Sequence, residues 1–231
     1  PKDGAVRAAA HGDINLITLL MGAQGKGLQV QNHDGQWIDA MAEPEGQQAV
    51  YIGLVNPKTP TNVGGIMRAS GCYGVDAVFY TGKRYEYAAR GPQQYNADTQ
   101  SAAERIPLTG VASLLDALPS DTKLVCVDLV LGATPLPEFV HPEKAFYVFG
   151  PEDGTIGQEI IDRADAVVYV PTVGCMNLAA SVNVLLYDRL AKAHREQVSA
   201  QTEFDGDALI RQSRDNNNRT RVKTTKQGTS L

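Results

Sequence analysis

Five short apolar runs, each carried into a loop and then into a segment of helical spacing, limit this chain to few architectures. They are "AVYIGLV" (Ala49 to Val55), "DAVFY" (Asp76 to Tyr80), "KLVCVDL" (Lys123 to Leu129), "AFYVFG" (Ala145 to Gly150) and "AVVYVP" (Ala166 to Pro171). They do not alternate cleanly between apolar and polar, so both faces of each strand are expected to be covered, as in a parallel sheet between helices. Helices are predicted over Val63 to Tyr73, Val111 to Leu118, Ile156 to Ala164 and Leu178 to His194. The alternation predicts an α/β fold, one open parallel sheet with helices on both faces, over residues 49–197.

The flanks carry less. Residues 1–48 read as a separate extension of unknown role, in which "INLITLLMG" is expected to end a helix and Asp34-Gly35 to turn a hairpin. Residues 198–231 read as a helix and a basic tail. From Arg211 to Leu231 the chain has six basic residues and Asp215 as its one acid, so the tail carries +5 against −10 for the body. Its two readings are a solvated terminus and an arm that neutralises phosphates.

Composition excludes several classes. With 231 residues and 43% hydrophobic content the chain can bury a sizeable core, and a net charge of −5 argues against a wholly basic nucleic-acid coat. "INLITLLM" is too short to span a bilayer and lacks a basic leader, so no membrane association is expected. The 3 cysteines, Cys72, Cys126 and Cys175, are odd in number and far apart, which fits a reducing cytoplasm rather than a disulfide framework. The histidines His11, His33, His141 and His194 are scattered, so no metal site is expected.

In an open parallel sheet, ligands bind at the carboxyl ends of the strands. Three loops there are unusual. "NPKTPTNVGGIMRASGCYG" (Asn56 to Gly74) offers Asn62 as a helix cap, Arg68 on the helix behind it, and Gly64 and Gly65 where something approaches the backbone closely. "GPEDGTIG" (Gly150 to Gly157) and "PTVGCMN" (Pro171 to Asn177) supply tight turns with exposed amides. The dinucleotide fingerprint GxGxxG and the phosphate loop GxxxxGK[ST] are both missing.

Together, "NVGGIMRASGCYGVD" (Asn62 to Asp76), "FGPEDGTIGQEIIDRAD" (Phe149 to Asp165) and "VPTVGCMNLAASVNVLLYDR" (Val170 to Arg189) resemble the three motifs of the SpoU/TrmH-like branch of the SPOUT methyltransferases, in order. The resemblance spans Val50 to about Lys192. It implies a C-terminal deep trefoil knot at about residues 145–195, and S-adenosylmethionine as cofactor. It further implies RNA, transfer or ribosomal, as substrate, methylated at a ribose 2′-hydroxyl, and a homodimer paired through the helices after the first and third motifs. By position, Asn62, Arg68, Glu152 and Asn177 take the catalytic places, and Leu129, Gly150, Gly157, Val170, Met176 and Ser181 hold the cofactor. Arg68 is expected to orient the target nucleotide, with Glu152 steadying Arg68 or capping the helix that starts near Thr155.

The sequence departs from the family at Cys175 and Ala179, where many members carry serine. Those departures keep open a catalytically silent RNA-binding or assembly factor on the same fold, and methylation of a base is a further alternative. The stripe Leu178, Val182, Leu185, Leu186 and Leu190 is expected to be core, and "RYEYAARGPQQYN" (Arg84 to Asn96) to be either a base-stacking surface or a plain surface helix.

Overall fold

The computed structural model describes residues 29–31, 37–39, 48–90, 105–199, 206–213, 220 and 222. The chain divides into two compact units, Pro1–Gln47 and Gln48–Leu231. In the first, β1 (Gln29–Gln31) and β2 (Trp37–Asp39) pair antiparallel with Gln31 opposite Trp37, so the strands flanking Asp34-Gly35 do form a hairpin. The turn itself and the segment "INLITLLMG" lie outside the described residues, as does most of the basic tail.

The second unit is built on a seven-stranded sheet. Its strands are β3 (Ala49–Leu54), β4 (Ala77–Tyr80), β5 (Leu108–Gly110), β6 (Lys123–Val127), β7 (Thr134–Pro135), β8 (Lys144–Phe149) and β9 (Ala166–Tyr169). They lie in the order β5-β4-β3-β8-β6-β9-β7, and every pairing is parallel. The strand β8 is the axis of the core. Its Ala145, Tyr147 and Phe149 face one apolar layer with Val50, Ile52 and Leu54, while Phe146 and Val148 face the other with Leu124 and Cys126. That is the period of two expected of a strand buried on both sides.

The first layer is closed by α1 (Pro60–Tyr73) and α4 (Leu178–Ser199), which pack on each other, and the second by α3 (Gln158–Arg163). A Cβ built on Gly65 of α1 would sit 3.1 Å from the Cβ of Ala179 on α4. The close approach foreseen for the glycine pair is therefore helix against helix. A short α2 (Arg84–Ala89) follows β4, and α5 (Gly206–Ser213) lies near the end of the chain. Among the described residues no helix is long and apolar enough to cross a membrane.

Several expectations are corrected. Residues 111–118 form a turn, not a helix: Ser113 Oγ accepts the Leu115 and Asp116 amides, and Leu114 plugs the second core layer. Serine competes for the backbone in this way, and Pro119 prevents continuation. The short edge strands β5 and β7 and the 3-10 turn Leu136–Glu138 were not foreseen. Leu190 is not core. It is 54% exposed, in a stripe with Val184 and Tyr187 at spacings of three, because this turn of α4 rotates it away from the sheet.

The second half of α4 is fastened by polar groups instead. Arg189 donates to the carbonyls of Pro142 and Glu143 and to the Tyr147 hydroxyl, and Lys192 donates to the carbonyls of Leu136 and Phe139. His141 completes the cluster, with Nδ1 2.7 Å from the Tyr147 hydroxyl and Nε2 2.9 Å from Asp188.

Candidate active site

The carboxyl ends of β6, β8 and β9 open onto a cleft of about 170 Å³. Three loops wall it: the one leaving β6 (Asp128 and Leu129), the one leaving β8 (Gly150 to Gly154) and the one leaving β9 (Val170 to Met176). Among the expected cofactor residues, Leu129, Gly150, Val170, Met176 and Ser181 line it. Gly157 does not. It stands at the start of α3 with open space where a Cβ would be, so its place is that of a helix boundary.

Gly150 is constrained by what lies against it. A Cβ there would stand 3.3 Å from Asp128 Oδ2 and 3.3 Å from the Ile156 amide nitrogen. Those two atoms are themselves bonded: Ile156 N donates to Asp128 Oδ2 at 2.8 Å, while Leu129 N donates to Oδ1 at 2.8 Å. Asp128 thus ties the end of β6 to the glycine loop. Sequence reasoning missed it, and a single acid at the end of an apolar strand was the one signal available.

Side chains from all three motifs join in series, with Glu152 in the lining of the cleft and Asn62 and Asn177 outside it. Asn177 Nδ2 donates to Asn62 Oδ1 at 2.8 Å, and Asn62 Nδ2 donates to Glu152 Oε1 at 2.9 Å. Each end is anchored. Asn177 Oδ1 accepts the Ala179 and Ala180 amides and so caps α4, and Glu152 accepts the amides of Lys58 (2.8 Å) and Thr59 (3.0 Å). Burial pushes the Glu152 carboxyl up, but these donors outweigh it and hold the group below the usual carboxylate range.

Two expectations change here. Asn62 is not the cap of α1, which starts at Pro60 with Thr59 at the cap position; Asn62 lies inside the first turn, turned toward Glu152. Glu152 binds neither Arg68 nor the start of α3; it satisfies the amides that lead into α1. Arg68 is exposed on α1, does not line the cleft, and has no hydrogen-bonded or ionic partner among the described residues. The structure therefore brings Asn62, Glu152 and Asn177 together and leaves Arg68 apart.

The departures from the family have places too. Cys175 is exposed on the wall of the cleft, and Ala179 is the residue that Gly65 packs against. Ser181 lines the cleft while its hydroxyl donates to the Asn177 carbonyl. Outside the cleft, Arg84 makes a two-pronged pair with Asp153 (2.9 and 2.7 Å), linking α2 to the glycine loop. Tyr85 packs edge-on against Tyr80, and Arg90 stacks over the exposed Tyr87 ring; Tyr95 and Asn96 lie outside the described residues.

The lining suits a cation with both polar and apolar parts. Asp128 and Glu152 are its acids, no lysine, arginine or histidine lines it among the described residues, and Leu129, Val170, Met176 and Leu178 give it apolar walls.

The model of the SpoU rRNA Methylase family matches residues 49–187. A protein named as an uncharacterized tRNA/rRNA methyltransferase, from Mycobacterium sp. (strain KMS), is 29% identical over 172 residues, covering 71% of this chain and 54% of that protein. A protein of Staphylococcus aureus (strain MSSA476) named for the TrmH family of tRNA/rRNA methyltransferases is 24% identical over 165 residues, covering 69% of this chain and 65% of its own length. The chain thus spans roughly half to two thirds of the curated relatives it matches.

Among solved structures, the SpoU methyltransferase AviRb from Streptomyces viridochromogenes, in complex with AdoMet, superposes with a TM-score of 0.54 at 17% identity, over 66% of this chain and 63% of that one. A protein studied for 2-OH methylation on tRNA superposes with a TM-score of 0.56 at 20% identity, over 64% of this chain and 98% of that one. At such identities these likenesses speak for the fold, a parallel α/β sheet of the SpoU methyltransferase type. The family model matches well over half of the sequence, and on that ground the chain belongs to the SpoU rRNA methylase family.

Proposed function

We propose that this protein transfers a methyl group from S-adenosylmethionine to RNA, transfer or ribosomal, at a ribose 2′-hydroxyl. The observation that carries the reading is the series Asn177–Asn62–Glu152, which joins all three motifs and ends on Glu152 in the lining of the cleft. Support for the cofactor comes from the lining: an acid-bearing cleft with apolar walls and no basic side chain among the described residues, and a glycine where a Cβ would crowd Asp128. Support for the ribose comes from the family and from the tRNA 2-OH methylation of one structural neighbour.

When bound, S-adenosylmethionine supplies a methyl group on a positively charged sulfur. Leu129, Val170, Met176 and the Gly150 backbone hold it, with Ser181 beside them. Asn62, Asn177 and Glu152 fix the relative positions of the loops that the RNA must approach. Glu152, held below the usual carboxylate range by its donors, serves as an anchor and not as a proton store at neutral pH. Arg68 orients the target nucleotide, since its fork of donors suits a phosphate and a ribose oxygen, and a guanidinium does not readily give up a proton.

Two further parts belong to this reading. The segment from 145 to 195 forms the trefoil knot, an exception to the rule against threaded chains, supported by family membership and by β9 lying beyond β6 while α4 returns to pack on α1. Two copies pair through α1 and α4, supported by the exposed apolar stripe Val184, Tyr187 and Leu190. The dimer matters because Arg68 stands outside the cleft of its own chain.

The test is transfer of labelled methyl from S-adenosylmethionine to total RNA from cells lacking the protein. Incorporation that is lost with Arg68→Ala, in a variant that still binds the cofactor, is the expected result. No incorporation by a folded protein that binds the cofactor would favour a silent RNA-binding factor.

A further inference from the structure

Asp128 lies outside the three motifs, and its tie to the glycine loop does not account for its charge in the cleft wall at the end of β6. Its two oxygens accept one amide each, from Leu129 and from Ile156, which leaves lone pairs on both oxygens without a further partner among the described residues. It forms no ion pair among the described residues. Two basic side chains that reach the glycine loop, Lys58 and Arg84, are both engaged with Asp153, outside the lining. The second acid of the cleft, Glu152, is already surrounded by three donors. Asp128 is therefore the less compensated negative charge of the cleft.

The cofactor and its product differ by one charge. S-adenosylmethionine has a sulfonium, whereas S-adenosylhomocysteine, left after methyl loss, has a neutral thioether in the same place. Shape and hydrogen bonding are otherwise almost shared, so apolar walls and backbone amides cannot tell them apart. A negative charge can.

We propose that Asp128 is a specificity residue that biases the cleft toward the sulfonium cofactor and against the spent thioether, thereby favouring product release. The proposal rests on the reading that this cleft takes S-adenosylmethionine. A unit charge acting inside a small, partly hydrated cleft is worth on the order of threefold to tenfold in affinity. Its second task, holding Gly150 and Ile156 in place, serves both ligands alike and leaves their ratio unchanged.

The ratio of affinities therefore separates the charge from the scaffold. Titration calorimetry of the full chain with each ligand, for wild type, Asp128→Asn and Asp128→Glu, reads it directly. The expected result is a fall of about threefold to tenfold in the preference for S-adenosylmethionine with Asp128→Asn, and little change with Asp128→Glu, which keeps the charge. Equal weakening of both ligands by Asp128→Asn, with the ratio held, would reduce Asp128 to a scaffold and overturn the proposal. If Asp128→Asn does not fold, the wild type still decides: the preference must shrink as salt rises from about 0.05 to about 0.5 M, and a flat ratio overturns it. Failure of wild type to bind either ligand would instead overturn the functional reading, and this proposal with it.

Discussion

Asn177 Nδ2 donates to Asn62 Oδ1 at 2.8 Å, across a sequence separation of 115 residues. Neither amide is free to turn over. Asn177 must present its oxygen to the α4 amides and Asn62 must present its nitrogen to Glu152, so the orientation of each is set by the other's. The start of α1, the start of α4 and the glycine loop are thereby held in one register.

Asn62→Ala breaks both links at once. The Glu152 carboxylate loses a donor and Asn177 loses its acceptor, costing about 1–3 kcal/mol of stability. Methyl transfer should fall by about 100-fold or more, since a misplacement of the loops at the reacting centre is costly. Steady-state kinetics alongside a denaturant titration would check both, and an unchanged kcat/KM would remove Asn62 from the site.

Glu152 imposes a dependence on acid. Its folded-state pKa lies below the ordinary carboxylate value, so the unfolded chain binds the proton first. The associated stability is fully present above the ordinary value of about 4.3 and is lost as pH falls through the folded one. Thermal melts of wild type and Glu152→Gln between about pH 6 and 3 should converge at the acid end, with the variant less stable at pH 6.

The His141 cluster should respond at higher pH. Arg189 donates to the Tyr147 hydroxyl, which then gives its own proton to His141 Nδ1, while Nε2–H faces Asp188. Every group is satisfied with the imidazole neutral, and burial pushes the Tyr147 hydroxyl up to about 12, so it stays protonated. Burial lowers the His141 pKa; Asp188 opposes that shift, and Lys192 and Arg189 add to it. A lowered folded pKa means that stability is whole above the ordinary histidine value of about 6.5 and is lost as pH falls below it. Melts from about pH 8 to 5 should show this loss in wild type, and His141→Gln should flatten it.

Gly65 sets the distance between α1 and α4. Gly65→Ala gains about 1 kcal/mol of helix propensity but places a methyl 3.1 Å from Ala179, so its net effect stays within about 1 kcal/mol. Gly65→Leu has no room and should cost about 1–3 kcal/mol or more, with a loss of cofactor affinity as α4 shifts. Chemical denaturation of the two variants would show the contrast, and an equally mild effect of leucine would mean that the helices are not held at this spacing.

Much of this architecture was legible because burial on both faces leaves a plain mark. The runs at β3, β4, β6, β8 and β9 are apolar at consecutive positions, and each is a strand. The runs that escaped are short edge strands with little to bury: Leu108–Gly110 ends in glycine and Thr134–Pro135 includes a proline. Val111 to Leu118 has helical spacing, but Ser113 turns the backbone before a helix can start. At the site, the motifs brought Asn62, Glu152 and Asn177 to notice, while their pairing depends on contacts about 90 and 115 residues apart that no local pattern encodes. Asp128 escaped for the same reason, since its partner Ile156 lies 28 residues away.

The central claim is ribose methylation of RNA, and alkali tests it most directly. A methyl on the 2′-oxygen removes the nucleophile that cleaves the neighbouring phosphodiester, so the labelled nucleotide resists alkaline hydrolysis. RNA labelled by this protein from S-adenosylmethionine and then digested with alkali should release the label in dinucleotides, and Arg68→Ala should release none. Label appearing in mononucleotides would place the methyl on a base and contradict the account.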